Sequence, residues 1–519
     1  MTNSSNKTIA KNTIVLYFRM IVTMLISLYT SRVVLQVLGV EDFGIYHSVG
    51  GVVGMFAFVN GALATGSSRF LTAELGTGDF EKLKRTFSTV LTVHATLAVL
   101  FAIVLETLGM WFLNNKLIIP AERMDAAKFL LHLSALSSLL SITQVPYSAS
   151  IVSHEKMGIY AYTTITDAVL KLLIVYALTI APFDKLKFYA FLGFVVNIGM
   201  LLFYRFYCLR KFPESHYQFV ADKKIMKSIL GFSGWGILGS IARMLQMQGS
   251  TVLINMFFSP SVVAARAVAN QVNSASLQFI NSFRTAVNPQ IIKRYAANEK
   301  ESSKKLQLET AKLAYYIMLV LALPICLVAR PLLQLWLGQV PEHSVAFLQV
   351  TIATSLIDVF DISFLSALWA KGRIKENALV SPFVLFAAFP IAYVMFRCGM
   401  PPVSICWAFL VSIAVMGLVV KPMLIIKYVD YKWSEIIPVF LTCGKVTLAA
   451  IPIPLFFYIW LNPTLGSDWL RFLVFVPISV CCVVMSIWLI GLDKRMRDTI
   501  VTFAKKTLHN KGKNYDDRQ

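Results

Sequence analysis

One apolar stretch of the chain carries Arg266, Asn270, Asn273, Asn281, Arg284 and Asn288 at steps of three, four or eight residues. At helical periodicity they share a face. Arg266 and Arg284 lie five turns apart, about 27 Å along a helix axis. An arginine at the centre of a bilayer costs roughly 2.5–3.5 kcal/mol on insertion scales, so it needs a wet cavity or a partner. A guanidinium suits bidentate contact with phosphate oxygens, and amides suit hydroxyl-rich ligands. Bonding between neighbouring helices is the structural use of the same stripe. Arg19 repeats the pattern with Thr23, Ser27 and Thr30, and Arg243 with Ser240, Gln246 and Ser250. Arg32 points elsewhere and can snorkel to an interface.

Acidic residues within apolar stretches are few. Asp167 stands one turn before Lys171, the spacing of an intrahelical pair. Asp358 and Asp361 share a face and could bind a proton or sodium ion, or neutralise a cavity arginine. His47, His94 and His132 fit polar packing better than titration, and neither His nor Cys shows metal-ligand spacing. The seven cysteines read as packing or lipid-facing residues. These positions call for no cofactor and no metal; a coupling ion, H+ or Na+, stays open.

The elements that position these residues are membrane helices. The 519 residues are 57% hydrophobic and 14% charged, with 37 Phe, and the mean hydropathy is +0.67. A span needs roughly 20 apolar residues. Such runs fall at 12–36, 43–65, 86–110, 128–150, 157–180, 187–208, 229–256, 262–286, 310–334, 345–369, 377–397, 402–426, 437–461 and 469–491, so the class is an all-α polytopic membrane protein of about 14 transmembrane helices. The net charge of +21 sits in short loops rather than on one soluble face, which argues against nucleic acid. Lys82, Lys84, Arg85, Arg210, Lys211, Lys293, Arg294, Lys371, Arg373 and the 492–519 tail fall on alternate loops, which places both termini in the cytoplasm. The polar start, Met1 to Lys11, does not resemble a cleaved signal, and the loops leave no room for an extramembrane catalytic domain.

Two connectors echo each other. Ser67 to Lys82 and Asn288 to Glu301 align at an offset of about 220 residues, and Trp111-Phe112-Leu113 with Pro120 is repeated as Trp336-Leu337-Gly338 with Pro341. Each half then holds six spans in the same orientation, a parallel repeat. The expected organisation is one six-helix half at 1–228, a second at 229–436, two additional helices at 437–491 and a basic tail at 492–519.

Leu38-Gly39-Val40-Glu41-Asp42-Phe43-Gly44-Ile45-Tyr46 after the first span, and Ser68-Arg69-Phe70-Leu71 with Glu74-Leu75-Gly76 after the second, resemble polysaccharide exporters of the multidrug/oligosaccharidyl-lipid/polysaccharide (MOP) superfamily. The whole chain resembles their Wzx-type flippases. The resemblance implies two six-helix bundles opening a central cavity to each side in turn. The implied substrate is an undecaprenyl-pyrophosphate-linked repeat unit crossing a bacterial inner membrane for O-antigen, capsule or exopolysaccharide assembly, with membrane lipids and glycan-assembly proteins as partners. Arg19, Arg243, Arg266 and Arg284 then bind the headgroup, Asn270, Asn273 and Asn281 contact sugars, and Asp358 and Asp361 are ion-coupling candidates. A cation-coupled drug antiporter on the same scaffold is the alternative, and would rely on its buried carboxylates. A membrane glycan polymerase or acyltransferase comes third, because it wants a large loop bearing catalytic groups.

Overall fold

The computed structural model describes residues 3–54, 64, 67–68, 70–71, 74–75, 78–154, 156–180, 182–219, 222, 225–227, 245–296, 299–371, 373–493 and 497–498. Every regular element among them is helical. With no water in hydrocarbon to satisfy the backbone, helices are one of only two structures that can span it. Eleven of these helices are long and apolar enough to cross a membrane. The remaining expected spans lie elsewhere: 43–65 is described to residue 54, as the end of the first helix, and 229–256 from residue 245, and 262–286 falls in the helix Pro260–Ala296, whose polar stripe keeps it off the apolar set. The protein is a multi-pass membrane protein.

Residues 1–275, 336–348 and 374–412 form one compact unit. Its first helix, Asn3–Gly54, bends at Gly39, where φ is 81° and ψ 168°. That conformation is open essentially to glycine alone, so the expected turn between the first two spans reduces to a single residue. Phe80–Val104 is capped by Asp79, whose carboxylate accepts from the Lys82 amide at 3.0 Å. Asp184 does the same for Lys185–Lys211 through the Lys187 amide, at 3.0 Å. An apolar cluster of Ile45, Val49, Leu105, Leu113, Leu130, Leu131 and Leu186 holds one end of these helices together, and Phe87, Tyr147, Ile151, Tyr204 and Cys208 hold another.

The second unit comprises residues 276–335, 349–373 and 413–519. In it Tyr315, Phe360 and Phe364 stack and Phe440 meets both phenylalanines edge to face, with ring centroids 4.9–6.3 Å apart. A π-helical turn, Met416–Val420, precedes Lys421–Val429; such turns frequently mark functional positions.

Candidate functional site

The first unit encloses a cavity of about 640 Å³, within the range of roughly 300–1,000 Å³ usual for small-molecule sites. Helix Met124–Ser153 gives it one face through Ser134, Ser137, Ser138 and Ser141, spaced by three and four residues; Lys185–Lys211 adds Gly193 and Asn197, and Pro260–Ala296 adds Asn270, Gln271 and Ser274. A second cavity of about 510 Å³ lies on Thr23, Ser27, Thr30 and Asp167. Tyr46, His47, Lys171 and Tyr189 line both. The Tyr46 and Tyr189 rings meet edge to face at 5.1 Å, and Gln271 donates to the Ser27 hydroxyl at 2.9 Å. The lining is rich in hydroxyls and amides that can both donate and accept. Its charged members are Lys171 and Asp167, joined at 2.7 Å as the spacing predicts, with the Lys171 side chain 49% exposed. The pair is more than an intrahelical brace: its ammonium stands on the cavity wall, where an anion can compete for it.

The structure also gives the Leu38-to-Tyr46 motif a physical meaning. Gly39 makes the bend. Asp42 accepts from Arg123 through both carboxylate oxygens, at 2.6 and 2.7 Å, and the same guanidinium binds Asp184 at 2.7 Å. One arginine thereby ties the first helix, just past its bend, to the starts of Met124–Ser153 and Lys185–Lys211. Burial raises the Asp184 pKa, but hydrogen bonds from Arg123 and the Lys187 amide outweigh it and hold the carboxyl below its ordinary value. Gly44 lies so close to Pro260 that a Cβ there would stand 1.9 Å from the Pro260 carbonyl oxygen. No residue other than glycine fits that contact.

The residues picked out by sequence are divided among different surroundings. Asn270 lines the cavity. Arg266 is 7% exposed; it donates to the Cys406 sulfur at 3.1 Å and lies 5.8 Å from the Phe347 ring centroid. Asn273 is half-buried and Asn281 exposed. Arg284, in the second unit, is 7% exposed and donates to the Ile362 carbonyl at 2.6 Å. Both arginines share one helix face, as their 18-residue separation requires, but Ala267, Asn270, Gln271 and Ser274 centre about 90° around the helix from them. The single stripe therefore splits into a buried arginine row and a cavity-facing amide and serine row. Arg243 and the side chain of Arg19 lie outside the described residues.

In the second unit Asp361 pairs with Lys421 at 2.9 Å, the two residues being 4% and 1% exposed. Asp358, 5% exposed, stands one turn earlier on the same helix. Gln307 donates to the Ser363 carbonyl at 2.6 Å, and a Cβ on Gly417 would lie 3.3 Å from the Ile357 carbonyl oxygen. Lys421 escaped the sequence reading although a lone cation inside the apolar run 402–426 was visible. Likewise Ser134, Ser137, Ser138 and Ser141 form a helical row, but serine in a membrane helix carries little signal because it can bond its own backbone, as Ser138 does to the Ser134 carbonyl at 2.9 Å. Among the described residues no cluster of His, Cys, Asp and Glu could hold a metal ion.

Residues 237–394 match the MatE family model. An inward-facing multidrug resistance MATE family transporter of the MOP superfamily superposes with a TM-score of 0.66 at 15% identity, over 81% of this chain and 99% of that one. The lipid II flippase MurJ, in an inward closed conformation, gives 0.63 at 11% identity over 92% and 98%. A MOP superfamily transporter from Pyrococcus furiosus Vc1, described as having a binding pocket of reverse polarity, gives 0.58 at 15% over 80% and 95%. No curated protein matches in sequence. The fold is the one these transporter structures share.

Proposed function

We propose that this MOP-fold membrane protein is a flippase that carries an anionic, lipid-linked oligosaccharide across the bacterial cytoplasmic membrane by alternating access, with undecaprenyl-pyrophosphate the carrier and both termini cytoplasmic. The observation that carries the reading is the 640 Å³ cavity walled by four serines, Asn197, Asn270, Gln271 and Lys171. A sugar presents hydroxyls in every direction, and matching it takes many neutral groups that donate and accept at once. Tyr46 and Tyr189 add apolar ring faces with polar tips. Lys171 supplies positive charge for a phosphate, and Asp167 keeps it neutralised while the site is empty. The chain further matches MurJ over 92% of its length against 81% for the multidrug transporter, a difference of about 57 residues, as many as the two additional C-terminal helices require at roughly 20 residues per span.

The second reading is a cation-coupled antiporter, favoured by the MatE match over residues 237–394. It asks for carboxylates able to attract cations. Asp361 is already neutralised by Lys421 at 2.9 Å, and Asp167 by Lys171 at 2.7 Å. The test is a side-by-side transport assay in proteoliposomes: a fluorescent undecaprenyl-pyrophosphate oligosaccharide scored for leaflet exchange, and a lipophilic cation scored for gradient-driven efflux. Protein-dependent exchange of the glycolipid supports the flippase. Efflux of the cation with no glycolipid exchange, across several glycans, overturns it.

A further inference from the structure

A separate cavity of about 450 Å³ lies in the second unit, between the helix Ala329–Leu337 and the facing ends of the helices Pro452–Leu461 and Asp468–Ser486. Its lining includes Arg330, Gln334, Tyr458, Asn462, Asp468 and Arg471. Asp468 accepts from Arg471 at 3.1 Å, and two guanidiniums against one carboxylate leave the cavity with a net positive charge. The Arg471 Nε is buried without a hydrogen-bond partner, although a buried unmade bond on a charged group is costly. Two amides and a phenol provide further donors. A small, donor-rich, positive cavity is shaped for an oxyanion with several oxygens, and planar guanidiniums favour phosphate.

The neighbouring surface says where that phosphate comes from. Trp460 and Trp469, on two of the three helices that form the cavity, are 66% and 61% exposed, and Phe456, Ile459 and Leu470 are exposed beside them. Exposed tryptophans bordering an apolar surface mark the level of lipid headgroups. We propose that this cavity binds the phosphoryl headgroup of an anionic membrane lipid, with Arg330 and Arg471 on the phosphate oxygens and Gln334 and Asn462 on the group esterified to it. A bilayer phosphatidylglycerol and a polyprenyl phosphate carrier share this chemistry. The site shares no residue with the serine and amide cavity, and its chemistry does not depend on which substrate that cavity takes.

The test is native mass spectrometry of the full-length protein titrated with phosphatidylglycerol, undecaprenyl phosphate, zwitterionic phosphatidylethanolamine and inorganic phosphate. Wild type should retain the phosphate lipids over phosphatidylethanolamine, and the preferred one names the source. Arg330→Gln and Arg471→Gln should each weaken retention about tenfold or more, the scale of a charge-assisted bond. Asp468→Asn removes the competing carboxylate and should tighten it, whereas a merely structural ion pair gives no gain. Unfolding temperatures establish that each variant is folded, and Arg330→Gln, which breaks no ion pair among the described residues, keeps the test open if Arg471→Gln is unstable. Equal retention of phosphatidylglycerol by wild type and Arg330→Gln, with no gain in Asp468→Asn, overturns the proposal.

Discussion

Asp361→Leu should be far more damaging than the joint removal of Asp361 and Lys421. The two charges sit 2.9 Å apart at 4% and 1% exposure. At an effective dielectric of about 20 their attraction is about 6 kcal/mol, most of it spent offsetting the loss of hydration on burial. Removing the carboxylate alone leaves a buried ammonium with that loss uncompensated, a destabilisation of about 3–5 kcal/mol. Replacing both, as Asp361→Leu with Lys421→Met, removes both charges and should return most of it, within about 1–2 kcal/mol of wild type. The assay is reversible unfolding in mixed micelles, followed by tryptophan fluorescence, for wild type, both single variants and the double variant. With each single variant costing about 3–5 kcal/mol and the double variant about 1–2, a coupling energy of about 4 kcal/mol or more is expected. Additive single effects would refute the reasoning. Flipping measured on the same four proteins separates a brace from a coupling site: a stable double variant that still flips glycolipid assigns the pair to structure, and one that is stable but inactive assigns it to coupling.

Other consequences can be checked alongside. Lys171→Ala should slow glycolipid flipping about tenfold, the scale of one charge-assisted bond, while Gly50→Ala, on the same cavity but with nothing within 4 Å of its new methyl, should raise the unfolding temperature slightly, since alanine in a helix interior is favoured over glycine by about 0.5–1 kcal/mol. Gly44→Ala should fail to accumulate as folded protein, because its Cβ would meet the Pro260 carbonyl at 1.9 Å; detergent gel filtration reads this directly. Arg123→Ala should cost about 2 kcal/mol, between the values for exposed and buried pairs, since its partners Asp42 and Asp184 are 17% and 30% exposed. Because Asp184 is held below its ordinary pKa, its stabilising effect is complete above the ordinary carboxylate value of about 3.9 and is lost as pH falls through the lowered one. The gap in unfolding temperature between wild type and Asp184→Asn should therefore hold from pH 7 to 5 and close in stronger acid.

The membrane architecture was legible because apolar runs of span length are a strong, redundant signal: eleven spans recur close to their expected places, and Asp167 pairs with Lys171 as its spacing demands. Periodicity also placed Arg266 and Arg284 correctly on one helix face. It could not say what that face meets, since a stripe looks the same whether it borders a cavity or packs on Phe347, Cys406 and the Ile362 carbonyl. The cavity itself was hidden because its wall is made of serines and amides from several distant segments, each unremarkable within its own helix. Gly39, Asp42 and Gly44 stood out as a motif, yet their separate duties as bend, ion-pair partner and close contact depend on Arg123 and Pro260, more than eighty and two hundred residues away.

The most direct measurement on the central claim is substrate protection at the cavity wall. Ser137→Cys, in membranes, is treated with a maleimide and its modification is quantified by mass spectrometry at that position, separately from the native cysteines. The account predicts that an undecaprenyl-pyrophosphate oligosaccharide slows labelling of residue 137 in a concentration-dependent way, that undecaprenyl phosphate without sugar does not, and that Lys171→Ala weakens the protection. Unchanged labelling at concentrations where the same preparation flips the glycolipid would contradict the assignment of this cavity to the glycan.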